Sequence, residues 1–100
     1  MHIHNVYFWL KDGLDQEQIA SFEKGLMSLC YESNVDTGHY GPPAETDRSV
    51  VDNSFSFGIM LIFPDTAAHD RYQHQSHSHD KFIEEHGSKW ERVVVYDMIV

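Results

Sequence analysis

The 100-residue sequence predicts an α+β fold of order β-α-β-β-α-β, with helices covering one face of a four-stranded antiparallel sheet. Three observations carry this prediction. Phe55, Phe57, Ile59, Leu61 and Phe63 recur with the period of two that marks a strand. Ile19, Phe22, Leu26 and Leu29 recur with the period of a helix that has one apolar face. Apolar strand-like stretches also open and close the chain, IHNVYFWL and WERVVVYDMIV.

The elements follow in order. Residues 3–10 form a strand with His4, Val6, Phe8 and Leu10 on one face and Tyr7 and Trp9 on the other. Lys11-Asp12-Gly13 has turn chemistry. Asp15 stands three residues before Gln18, the spacing of a capping box, and starts a helix running to about residue 30. Residues 31–41, with Asn34, Gly38 and Gly41, hold a short strand that Pro42-Pro43 ends, and residues 44–53 read as an exposed loop. Phe55–Phe63 is the clearest strand. Asp65 caps a short helix reaching about Tyr72, HQSHSH reads as a solvated polar turn, and DKFIEEH as a second helical stretch that Gly87 caps. Residues 90–100 close the chain as a strand. The order is that of a ferredoxin-like domain, one domain spanning residues 1–100.

The first and third strands are apolar on both faces, yet the helices cover only one. A second copy of the sheet would cover the other, which predicts a homodimer through the sheet face. The plainer alternative is that Tyr7, Trp9 and their neighbours are single exposed aromatics.

Composition narrows the function. Seven basic residues against sixteen acidic ones give a formal charge of −9, which repels phosphate backbones and anionic bilayers, so nucleic acid and membrane partners are not expected. No apolar run approaches the roughly 20 residues of a membrane span, and the N-terminus lacks the pattern of a signal peptide. Cys30 is the only cysteine, which fits a reducing, cytoplasmic setting and leaves no intrachain disulfide. Its place beside Leu29 reads as a small packed residue rather than a nucleophile. Glu84-Glu85 and Asp15 with Glu17 read as solvated helix surface. No phosphate loop, nucleotide fingerprint or serine triad order is present.

Eight histidines are the oddity: His2, His4, His39, His69, His74, His77, His79 and His86. Imidazole suits zinc, copper or nickel, but the HQSHSH run lacks a standard metal spacing, so no metal site is expected there. His4 stands on an apolar strand face. It is either a satisfied sheet-edge residue or the polar group of an apolar pocket.

IHNVYFWLKDG, FGIMLIF, HDRYQ with His79 and Phe82 after it, and WERVVVYD together resemble the stress-responsive α/β-barrel domain family across the whole chain. The resemblance implies a ferredoxin-like monomer whose dimer forms an α/β barrel, and no organic cofactor. One member of that family is a cofactor-free cyclase that closes a polyketide ring in a pocket between sheet and helices. Its first-strand histidine matches His4, its second matches His79 through the spacing to Phe82, and a pocket tyrosine matches Tyr72. One extra residue between Tyr72 and His79 leaves His77 as a second candidate. Leu26 and Phe57 stand where the cyclase has a tyrosine and a histidine, so cyclase activity itself is not expected.

The resulting expectation is a pocket walled by Val6, Phe8, Phe22, Leu26, Phe57, Phe82 and Trp90 that takes a small apolar or aromatic carbonyl compound. His4 and His79 would give and take protons, and Tyr72 would be a polar wall. The alternative is a non-enzymatic, stress-related dimeric scaffold with a pocket filled by its own side chains.

Overall fold

Asp15 accepts a hydrogen bond from the Gln18 backbone N–H at 2.8 Å, and the Gln18 side chain accepts from the Asp15 N–H at 2.9 Å. This reciprocal cap starts helix α1 (Gln16–Cys30). Its stripe of Phe22, Leu26 and Leu29 is buried. The computed structural model describes all 100 residues. Around α1 lie strands β1 (His2–Leu10), β2 (Thr37–Gly41), β3 (Phe57–Phe63) and β4 (Trp90–Ile99), and helices α2 (Thr66–Gln75) and α3 (His77–His86). A short 3-10 turn, Gly87–Lys89, leads into β4. No helix is long and apolar enough to cross a membrane.

The strands form one antiparallel sheet in the order β2-β3-β1-β4. Alternation sorts their side chains. His2, His4, Val6 and Phe8 of β1 and Phe57, Ile59, Leu61 and Phe63 of β3 are buried beneath the helices. Phe22, Leu26, Leu61 and Phe63 form the most deeply buried part of the core. Register places Asp97 opposite His4 and Val95 opposite Val6, so both belong to this same face. The β1–β4 ladder extends to the chain ends, where the Val100 N–H bonds to the Met1 carbonyl at 2.9 Å.

Three local readings change. The ladder is irregular between Trp9 and Leu10, so Leu10 is only half-buried, and His2 joins the buried face in its stead. The Phe55–Phe63 strand pairs only from Phe57. Phe55 instead packs edge-on against Tyr7, at 4.9 Å between ring centres. HQSHSH is not an open turn. His74 and Gln75 end α2, and His77 to His79 begin α3. The single break is Ser76, whose hydroxyl accepts from the His79 N–H at 3.2 Å and so caps the second helix.

Candidate functional site

A cavity of about 180 Å³ lies between the β1–β4 half of the sheet and helices α2 and α3. Ten of its 13 lining residues are hydrophobic, and its polar members are His4, Gln73 and His79. β1 supplies His4, Val6 and Phe8, α2 supplies Tyr72, and α3 supplies His79 and Phe82. Val93 and Val95 form the wall on the outer strand, which is partly open to solvent.

The structure therefore gathers His4, His79, Tyr72, Val6, Phe8, Phe82 and Trp90 at one cavity. His77 stands elsewhere, at a surface groove with Arg71 and Gln75, so His79 is the histidine beside Tyr72. Phe22, Leu26 and Phe57, expected in the pocket wall, do not line it. The reason is packing. Phe22 meets Phe8 edge-on at 5.2 Å and Phe57 at a tilt at 5.8 Å, so these rings pack on one another in the core.

Three residues absent from the sequence-based site join His4. Its Nδ1–H donates to Asp97 Oδ1 at 2.6 Å, since an ionised carboxylate can only accept. His4 Nε2 has no hydrogen-bond partner within the chain, and the residue lines the cavity. His2 Nε2 donates to the same Asp97 oxygen at 3.0 Å. His69, from α2, stacks on His2 with ring centres 3.9 Å apart and planes at 11°. The detectable signal was the His2-Ile3-His4 spacing, which puts both rings on one strand face. Asp97 and His69 depend on register and helix placement, which the sequence did not disclose.

Burial lowers the His4 pKa, while the hydrogen bond and charge of Asp97 oppose that shift without cancelling it. His4 is therefore uncharged near neutral pH. Burial also lowers His79, with the charges of Asp80 and Glu32 opposing it. It raises the Tyr72 hydroxyl well above its ordinary range, so Tyr72 stays a donor. At Asp97 burial pushes upward, but the hydrogen bonds from His2 and His4 outweigh it and the carboxyl lies below its ordinary value. Cys30 lies outside this cavity, and burial raises its thiol, which fits a packed residue.

Fold and site together define a ferredoxin-like α+β domain with a histidine-bearing apolar cavity under its helices. The chain belongs to the stress responsive A/B barrel domain family, whose sequence profile matches residues 3–100. A solved Mesorhizobium loti protein of that family, with a ferredoxin-like fold, is similar at 21% identity and a TM-score of 0.77, covering 99% of this chain and 95% of that one. A dimeric ferredoxin-like protein of unknown function from Thermobifida fusca is similar at 13% identity and a TM-score of 0.78, covering 99% and 90%. A hydroxynitrile lyase from Passiflora edulis is similar at 20% identity and a TM-score of 0.75, covering 99% and 92%. No curated protein matches the chain.

Proposed function

We propose that this chain is a homodimeric small-molecule protein whose cavity binds an apolar or aromatic carbonyl compound, with His4 as general base. The observation that carries this reading is the Asp97–His4 pair. The carboxylate holds Nδ1–H at 2.6 Å and fixes the tautomer, so the lone pair is on Nε2, in a cavity otherwise mostly apolar. Such a base removes a proton α to a carbonyl. The carbonyl oxygen, gaining charge, is met by the Tyr72 hydroxyl or by His79 from the opposite wall. Relatives of this fold include an enzyme, the Passiflora lyase, which supports chemistry here as a class without specifying the reaction.

Incubating the protein with small aryl methyl ketones in deuterated water tests the base directly. Methyl protons should exchange faster than in buffer. His4→Ala should abolish that gain and Asp97→Asn should cut it by about 10²-fold or more, with circular dichroism unchanged. Absence of both exchange and ketone binding in the wild type sinks the reading. It would favour the non-enzymatic dimeric scaffold, to which the small cavity already lends support, since 180 Å³ lies below the ~300–1,000 Å³ usual for ligand sites.

A further inference from the structure

His2, His4, His69 and Asp97 each offer one ligand atom, and the four atoms lie within 4.8 Å of one another. Asp97 Oδ1 is the hub, at 2.6 Å from His4 Nδ1, 3.0 Å from His2 Nε2 and 3.8 Å from His69 Nε2. Bonds of ~2.0–2.1 Å in a tetrahedron separate ligand atoms by about 3.3 Å, so small shifts would let one ion meet all four.

Hydrogen bonding within the group is incomplete. One carboxylate oxygen takes two ring N–H donors, and the third ring is left out: His69 Nε2 is buried and has no partner. On His2 and His69 the far nitrogen is already held. His2 Nδ1 lies 3.3 Å from the Thr66 hydroxyl, and His69 Nδ1 lies 3.3 Å from Asp70 Oδ1. A carboxylate or hydroxyl on the far nitrogen is how a metal-binding imidazole is oriented, and when that nitrogen carries the proton the Nε2 lone pair faces the centre. At His69 that lone pair faces a carboxylate oxygen with nothing between them, an arrangement that a cation relieves.

We propose that His2, His4, His69 and Asp97 form a binding site for one divalent transition-metal ion of the zinc type. The N₃O donor set selects such ions over magnesium or calcium, which prefer all-oxygen shells. β1 supplies two ligands from one face, β4 supplies the carboxylate by register, and α2 supplies the third ring from above. The site touches the cavity through His4. A neutral imidazole that gives Nδ1 to a metal carries its proton on Nε2. On the reading of His4 as base, the loaded site therefore turns that nitrogen from acceptor to donor and silences it.

Cobalt(II) titration of metal-free protein tests the site, because four-coordinate cobalt absorbs visibly. The expected result is one cobalt per chain, displaced by zinc. His69→Gln should weaken binding by more than about tenfold, and His2→Gln should do the same, each with an unchanged circular dichroism spectrum. A paired His74→Ala, His77→Ala variant should bind as the wild type does. The proposal falls if the wild type binds no stoichiometric cobalt, if both glutamine variants retain it, or if the surface pair loses it. This readout is independent of ketone exchange. Cobalt binding without exchange leaves the metal site standing and removes the base, and exchange without cobalt binding does the reverse.

Discussion

Gly25 and His86 show how a single atom decides the contact between α1 and α3. A Cβ at Gly25 would lie 2.7 Å from His86 Nε2 and 3.0 Å from Phe82 Cδ1. His86 and Phe82 are both buried and both pack on Phe22, so a shift of either ring disturbs that contact. Alanine favours a helix by about 1 kcal/mol over glycine, whereas overpacking costs about 1–3 kcal/mol. Gly25→Ala is therefore expected to destabilise the fold by up to about 2 kcal/mol in urea unfolding, despite its better helix propensity. An unchanged or raised midpoint would mean that α3 can shift outward. The residues of the candidate site were unequally legible. His4 was readable because a histidine on a strand of Val6 and Phe8 breaks the pattern. His2 occupied the same face but lay at the strand's edge, where the apolar rhythm no longer marks it. Asp97 is one polar residue in a valine-rich strand, and only the β1–β4 register brings it to His4.

α1 was legible from its cap and stripe, α2 from its Asp65 cap, and the strands from their alternation, because these signals are local. What the sequence did not disclose was how α2 and α3 meet. HQSHSH is polar throughout, and polarity reads as a turn. One residue, Ser76, ends one helix and caps the next, so the histidines around it are helical. The helical placement matters at the far end of α3 too. His86 is held neutral there: burial lowers its pKa, and the Lys89 ammonium, donating to Nδ1 at 3.0 Å, lowers it further against the opposing charge of Glu85. The surrounding groups that face it are Lys24 from α1 and Lys81 and Glu85 from α3. A folded pKa below the unfolded value near 6.5 means that the unfolded chain binds more protons on acidification. The contribution of His86 is full above about pH 6.5 and falls as the pH drops from there through its depressed folded pKa. Unfolding midpoints of the wild type should therefore decline below pH 6.5 more steeply than those of His86→Gln. Parallel declines would remove His86 from the account.

The whole molecule leaves one sheet face without a cover. The paired strand positions pointing away from the helices are Ile3, Asn5, Tyr7 and Trp9 on β1, Met60 and Ile62 on β3, and Val94, Tyr96 and Met98 on β4, with Arg92 beside them. Tyr96 is 64% exposed and Met98 52% exposed, although both are paired within a long strand. On a chain of net charge −9, Arg92 is this face's only Lys, Arg, Asp or Glu in the β1–β3–β4 ladders, and it is stacked 4.3 Å above the Trp9 ring. A largely apolar face with no carboxylate on an acidic protein fits a second copy of itself, because packing the two acidic remainders together would add repulsion. In a two-fold interface any added charge appears twice, facing its own copy or stripped of water. Like charges so placed cost several kcal/mol, which is more than about a hundredfold in dimer affinity. Tyr96→Glu should therefore convert a dimer into a monomer in sedimentation equilibrium. Its effect on monomer unfolding should be small, since Tyr96 is exposed in the single chain and belongs to no part of the buried core. Val50→Glu, in the exposed loop, carries the same charge and should leave the dimer intact. A wild-type chain that sediments as a monomer, or a Tyr96→Glu chain that stays dimeric, would mean that this face meets something other than its own copy.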